Sequence, residues 1–473
     1  MLVKCVQEAA DLGSKEKIAC SPESRLLYLL FREFKDKGIR YAVMRNYDSL
    51  PASVSGSDLD ILIYPEDEEK AKEVFWGVLS SIDGFAIGVG ESLHFQKIFA
   101  IGPAERHSVG WWGLRLDVSY GIYYAGIAQL IDTKHSIKKM HKNNDIVVLE
   151  PGTSAVLGVL KEVLHNNELP RRYLTTATEA LNFQWKELET EFAPMGRDAL
   201  ALLKGICQAN VQQEQMPVAR KKIRRAILYN ALVNKPIKYL KGRIVFEWYR
   251  ARRLVRPPGM MVAILGTDGS GKSTVISAVK PVLDAATHGD LKVKHLRPGL
   301  LPPLSRFKGK ALVQEGVTVD PHSSQVSGTV GSIVRLLYLI TDYIIGYWTI
   351  VRPKIARSPT IFLFDRYAYD LAMDPRRFRI RLPGWLLNLA AKLAPTPDLI
   401  FCLDADPEEI YQRKKELPLQ EVKRQVQFLR DFAKHHPRAV LVSTSGTVEE
   451  SRDHFFEALR QYCVTRNPPE ILS

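Results

Sequence analysis

Residues 266–274 read Gly266-Thr267-Asp268-Gly269-Ser270-Gly271-Lys272-Ser273-Thr274, and this stretch decides the fold. It satisfies G-x-x-x-x-G-K-[ST] through Gly266, Gly271, Lys272 and Ser273. The apolar run Met260-Met261-Val262-Ala263-Ile264-Leu265 before it predicts a buried parallel strand, and Val275, Ile276, Val279, Val282 and Leu283 after it recur at helical spacing. Glycines let backbone N–H groups approach an anion and the helix start adds positive potential, so strand, loop and helix together predict a polyphosphate cradle. In such a cradle Lys272 reaches the terminal phosphates and Ser273 holds Mg²⁺. A chance glycine turn would explain the loop, but not the strand and helix that flank it.

Working downstream, Thr360-Ile361-Phe362-Leu363-Phe364 is a second apolar strand, ending in Asp365-Arg366-Tyr367. A third, residues 399–403, ends in Asp404-Ala405-Asp406, and residues 439–442 supply a fourth. Strands alternating with helices predict an α/β fold: a parallel sheet flanked by helices, with ligands at its carboxyl ends.

Over about residues 259–465 these motifs resemble the thymidylate kinase family of P-loop nucleoside monophosphate kinases. The resemblance implies ATP and Mg²⁺ as cofactors, with Gly266, Gly269, Gly271, Lys272, Ser273 and Thr274 around the ATP phosphates. It implies Asp268 near the acceptor sugar, Arg297 of His295-Leu296-Arg297-Pro298-Gly299 on the acceptor phosphate, Asp365 beside the metal with Ser273, and Arg366 orienting the acceptor. Residues 409–416, with Arg413, Lys414 and Lys415, occupy the place of the mobile basic lid, where Arg413 or Lys414 closes over the transferring group. Ser443-Thr444-Ser445 and Val448-Glu449-Glu450 are similar to the last loop, beside the adenine. Two departures lie where substrate is chosen: Thr341-Asp342-Tyr343 stands where the family usually has an arginine, and a cationic stretch including Arg376, Arg377 and Arg379 follows Asp365-Arg366-Tyr367. They imply an acceptor other than dTMP; a solvated face explains the three arginines more simply.

Upstream, residues 26–34 predict a helix with a buried face, and residues 41–44, 59–64 and 114–118 predict strands. Gly56-Ser57-Asp58-Leu59-Asp60 sets two carboxylates on one strand face, with Asp117 available as a third metal ligand. Residues 25–125 resemble the nucleotidyltransferase superfamily, although Gly56-Ser57 abuts Asp58 where the commoner pattern inserts a helical turn. A solvated D-x-D at a strand end is the plainer alternative. Residues 151–215 read as a helical cap; within it Lys161, Arg171 and Arg172 read more simply as solvated charges than as phosphate ligands.

Of the net charge of +14, the segment 220–256 carries thirteen Lys and Arg against Glu247 alone, which leaves the rest of the chain near neutral. That distribution excludes dispersed nucleic-acid-binding charge and marks one basic segment. Within it Ile237, Leu240, Ile244, Val245 and Trp248 form an apolar stripe, bounded by Pro236 and by Pro257-Pro258-Gly259. A cationic amphipathic helix of this kind suits an anionic membrane surface; packing between domains and nucleic-acid binding stay open as alternatives. The apolar run 333–351 contains Asp342 and is too short between Arg335 and Arg352 to span a bilayer, so it reads as a core helix. By family resemblance the same helix implies a homodimer.

Cys5, Cys20, Cys207, Cys402 and Cys463 are scattered without metal-ligand spacing, and Glu8, Asp11, Glu16 and Lys17 interrupt any signal-like N-terminus. Both features favour a cytoplasmic location, at the inner membrane surface if the basic segment docks there. The expected domains are a nucleotidyltransferase-like α+β domain (1–150), a helical cap (151–215), a basic connector (216–258) and a thymidylate-kinase-like P-loop domain (259–473). The expected function is transfer of the ATP γ-phosphoryl group to a nucleoside monophosphate or another phosphorylated or sugar-bearing acceptor, with surface-polysaccharide synthesis as one setting. Nucleotidyl transfer by the N-terminal aspartates and an ATP-binding membrane adaptor without catalysis are the alternatives.

Overall fold

Asp60 and Asp117 face each other across a parallel pair of strands, and the first of two large sheets is built around them. The computed structural model describes residues 22–104, 110–138, 140–143, 146–209, 211–302 and 327–466; Cys5, Cys20 and the N-terminal residues Glu8, Asp11, Glu16 and Lys17 lie outside these. The N-terminal strands are β1 (Tyr41–Val43), β2 (Leu59–Ile63), β3 (Phe85–Ser92), β4 (Phe95–Pro103), β5 (Trp111–Ser119), β6 (Tyr123–Tyr124), β7 (Ala128–Gln129), β8 (His141–Asn143) and β9 (Ile146–Val148). Seven of them form a mixed sheet in the order β3-β4-β5-β2-β1-β9-β8, and β6 pairs with β7 alone. The β3–β4 hairpin was not read from the sequence.

Helices α1 (Ser24–Asp36) and α2 (Glu68–Ser81) bury one face of this sheet under Leu27, Leu30, Phe34, Phe75 and Leu79. The other face is shared. Ala42 and Leu62 pack against helices that follow a short α3 (Thr133–Lys138): α4 (Pro151–His165), α5 (Arg171–Phe183), α6 (Trp185–Glu191), α7 (Arg197–Ala209) and α8 (Met216–Asn234). Met216, Ile223 and Ile227 of α8 belong to this apolar cluster, so α8 packs with the cap and only α9 (Pro236–Val255) runs on as a connector. Phe85, Ile87, Phe99 and Ile101 pack instead into the core of the second sheet. Between the two apolar patches runs the polar row Lys97–Asp117–Asp60, in register across β4, β5 and β2.

The second sheet is wholly parallel, in the order β11-β12-β10-β13-β14. Its elements follow α9 as β10 (Met260–Leu265), α10 (Lys272–Thr287), β11 (Leu291–His295), α11 (Thr329–Gly346), α12 (Arg352–Arg357), β12 (Ile361–Asp365), α13 (Asp370–Met373), α14 (Gly384–Leu393), β13 (Leu399–Asp404), α15 (Pro407–Arg413), α16 (Leu419–His435), β14 (Ala439–Ser443) and α17 (Val448–Arg466). β10 is buried at every position, as an apolar run must be when helices cover both faces.

Two surface features bear on the sequence reading. The α9 stripe faces outward: Ile237, Leu240, Ile244 and Trp248 are exposed, and the helix instead touches the β6–β7 turn through Gly242. Interdomain packing by the stripe is thereby overturned. The reading of residues 333–351 as a core helix holds for one face only. Leu336, Leu339, Ile340 and Tyr343 are buried, whereas Val330, Val334, Leu337, Ile345 and Trp348 are exposed. Over Thr329–Arg357 this continuous helix is long and apolar enough to cross a membrane, and 33% of its most apolar window is buried.

Candidate active site

The phosphate loop closes because glycine occupies its left-handed positions: Gly269 has φ +85° and Gly271 φ +87°. A Cβ at 269 would also lie 2.9 Å from Ile410 O, so the turn and α15 meet backbone to backbone. Lys272 opens α10 and folds over the loop, its Nζ donating to Gly266 O at 2.8 Å and Thr267 O at 2.6 Å. Burial, followed by the charge of Arg366, holds its ammonium well below the ordinary lysine value.

A cavity of about 540 Å³ opens in front of this loop. Of the residues singled out in the sequence, Asp268, Gly269, Gly271, Lys272, Ser273, Thr274, Asp365, Arg366, Arg413 and Lys414 line it, brought there from three segments of chain. Gly266 supports the loop through its carbonyl, which accepts from Lys272.

Asp365 ends β12. Its Oδ2 lies 3.2 Å from His295 Nδ1, and its Oδ1 is buried with no hydrogen-bond partner. Burial opposes ionisation of this carboxyl, but the His295 contact and the charge of Lys272 outweigh it and hold it below the ordinary aspartate value. An unpaired carboxylate oxygen facing a cavity that also holds the Ser273 hydroxyl is a donor set that fits Mg²⁺. Arg366 is 4% exposed and held at φ +71°, with Nη1 2.9 Å from Asp370 Oδ1 and Nη2 on Asp268. Arg413 reaches Thr444 O at 3.0 Å, which joins the basic lid to the last loop.

Arg377 corrects the solvated reading: it lines the cavity and pairs with Asp268, whereas Arg376 is exposed. Arg297 does not line the cavity; it is buried beside Asp342, its Nη1 2.7 Å from Oδ2. His295, at the end of an unread strand, joins the site, and its only sequence signal was its neighbour Arg297.

The second acidic group also assembles. Carboxylate oxygens of Asp58, Asp60 and Asp117 lie within 4.8 Å of one another, and all three residues are buried. Three cations already answer them: Arg45 contacts Asp60 and sits 3.0 Å from Asp58, Arg115 sits 2.9 Å from Asp117, and Lys161 sits 3.1 Å from Asp60. Burial favours the protonated form of Asp58, but Arg45 and Arg115 outweigh it and lower its pKa. Lys161, though half-exposed, is therefore paired with Asp60, while Arg171 and Arg172 are exposed. Ser57 turns its hydroxyl back to Val54 O at 2.8 Å.

No family model matches the chain. Similar solved structures are the thymidylate kinases of Ehrlichia chaffeensis, 19% identical with TM-score 0.29, and Candida albicans, 20% identical with TM-score 0.30. Each covers 43% of this chain, which covers 100% and 92% of theirs. Among curated sequences the chain is 30% identical over 176 residues to a probable thymidylate kinase of Pyrobaculum calidifontis, and 32% identical over 151 residues to that of Pyrobaculum aerophilum. These alignments cover 36% and 31% of this chain, and span 77% and 65% of the relatives' lengths. Through this region the chain belongs to the thymidylate kinase family of ATP-dependent nucleotide kinases.

Proposed function

We propose that this protein transfers the γ-phosphoryl group of ATP to a phosphorylated acceptor other than dTMP. The observation that carries the reading is the shared cavity of Lys272, Asp365, Arg366 and Arg413 in front of the phosphate loop. Phosphoryl transfer is catalysed mainly by positioning and charge neutralisation, and these residues supply both. Lys272 holds the donor phosphates, Arg366 orients the acceptor within its frame of Asp268 and Asp370, and Arg413 or Lys414 closes over the transferring group and excludes water. Asp365 and Ser273 would hold Mg²⁺, which neutralises phosphate charge when bound.

The altered acceptor follows from Asp342, whose carboxylate occupies Arg297 and withdraws it from an acceptor phosphate. Arg377 places another cation at the cavity, which suits a phosphorylated nucleoside or sugar acceptor. The exposed stripe of α9 lies among Lys235, Lys238, Lys241, Arg243 and Arg250, a pattern that supports docking on an anionic bilayer at the cytoplasmic face. Such docking would suit an acceptor used in building surface polysaccharide. The exposed face of α11 supports a homodimer. For the domains we assign a nucleotidyltransferase-like region over 1–150, a cap over 151–215 that α8 extends, a connector formed by α9 and the turn after it, and the kinase domain over 259–473.

Assaying ADP release from ATP and Mg²⁺ against nucleoside monophosphates, sugars and lipid-linked sugars tests the kinase reading. Release that needs an acceptor and Lys272 supports it; an acceptor requirement satisfied by dTMP alone overturns the altered specificity. A second reading, nucleotidyl transfer at Asp58, Asp60 and Asp117, is favoured by their spacing and opposed by the cations already on them. It requires pyrophosphate release lost in Asp60→Ala.

A further inference from the structure

At the end of the parallel sheet opposite the phosphate loop, a cavity of about 520 Å³ opens between β3, α9 and the start of β10. Its walls carry Arg252, Arg253, Arg256, Arg352, Arg438 and Arg466, converging from the connector, from α12, from the turn before β14 and from the last turn of α17. Among the described residues only two carboxylates line it, Glu91 and Asp398. Glu91 is taken by Arg252 at 3.3 Å, and Asp398 accepts from Met261 N at 2.8 Å and from Tyr462 Oη at 3.3 Å.

Several arginines are held by neutral acceptors instead. Arg253 donates to Tyr249 O at 3.2 Å, Arg438 to Pro397 O at 3.1 Å, and Arg466 to Pro257 O and Gly259 O at 2.7 Å each; Arg352 donates to Leu254 O. A carbonyl fixes a guanidinium in place without cancelling its charge. Arg466 Nη1 is buried without a hydrogen-bond partner, a donor that an apolar or neutral site would not retain. Burial and the neighbouring Arg250 hold the Arg253 guanidinium below its ordinary value, as expected where cations crowd without anions. The volume falls within the usual range for a small-molecule pocket, roughly 300–1,000 Å³.

We propose that this arginine cavity is a second ligand site that binds a diphosphate group. Guanidinium forks on separate walls bind adjacent phosphates bidentately, and the concave walls focus the field. The diphosphate can come from a free nucleotide-sized anion or from a lipid headgroup, since Leu254 and Val255 stand exposed at the rim. The proposal does not depend on the kinase reading, because the site lies apart from Lys272.

The test is calorimetric titration of the full-length protein with inorganic pyrophosphate, alongside sedimentation with phosphatidylcholine vesicles with and without diacylglycerol pyrophosphate. Lys272→Ala removes binding at the phosphate loop, and Arg253→Gln/Arg438→Gln removes it here. Arg256→Gln, at an exposed position, serves as the variant that leaves folding intact. Pyrophosphate binding that persists in Lys272→Ala and weakens at least about tenfold in both arginine variants supports the site with a free ligand. Vesicle binding that needs diacylglycerol pyrophosphate and falls with Arg256→Gln, without pyrophosphate binding, supports the same site with a lipid headgroup. Pyrophosphate and vesicle binding both unchanged in the folded Arg256→Gln variant, or absent from the unsubstituted protein, overturn the proposal. Loss of ADP release in Lys272→Ala bears on the kinase reading alone.

Discussion

Asp342 Oδ2 accepts from Arg297 Nη1 at 2.7 Å, and its other oxygen accepts from Leu300 N at 2.7 Å and Leu301 N at 3.1 Å. One carboxylate in the middle of α11 thus fixes the loop after β11. Asp342→Asn removes this counter-charge from the buried guanidinium. Such a break costs about 3–5 kcal/mol, and urea denaturation should show a loss of that order. An unchanged midpoint would mean that the pair contributes nothing to folding.

Lys272→Ala removes the cation that covers the phosphate loop while leaving α10 with a good helix former. ADP release is expected to fall by about 10²–10³-fold, the scale for deleting one preorganised donor to developing charge. Thermal melting should stay close to that of the parent, since the deleted ammonium is buried at an electrostatic cost. Full turnover in the variant would move the chemistry elsewhere.

His94 stacks on Tyr123 with ring centroids 3.8 Å apart, and burial, with Lys238 second, pushes its pKa down to about 4. Because the folded pKa lies below the unfolded one, near 6.5, the unfolded chain binds the proton first as pH falls. Stability due to this residue is complete above pH 6.5 and is lost between there and pH 4. The loss is on the order of 1–2 kcal/mol after discounting for solvent. Denaturation midpoints at several pH values should show a shallower slope for His94→Gln; an identical slope would contradict the assignment.

Ile244→Asp/Trp248→Ala should abolish sedimentation with anionic vesicles and leave ADP release on soluble acceptors intact. Each apolar side chain contributes about 1.5–3 kcal/mol on full burial, so the pair accounts for at least about a hundredfold in partitioning. Unaltered vesicle binding would leave the stripe as ordinary surface.

The parallel sheet was legible because its strands are continuous apolar runs ending in charged residues, a pattern that survives without tertiary knowledge. The strand Leu291–His295 escaped notice because Lys292, Lys294 and His295 make three of its five residues polar and only Leu291 is buried. Asp58, Asp60 and Asp117 were readable from strand periodicity, but Arg45, Arg115 and Lys161 were not. Their approach depends on a sheet register and a helix placement that no local pattern states. Arg377 was read as a solvated charge for the same reason: its partner Asp268 lies more than a hundred residues earlier in the chain.

Gly113 sits on β5 where a Cβ would collide with Val282 O of α10, so strand and helix touch without a cushion of side chains. That strand carries Asp117 at its far end, and that helix begins at Lys272. At that contact a tilt of the helix cannot be absorbed by rotamer changes, because a backbone carbonyl meets a residue with no side chain. The basic loop of one lobe and the acidic row of the other are therefore opposite ends of a single rigid lever.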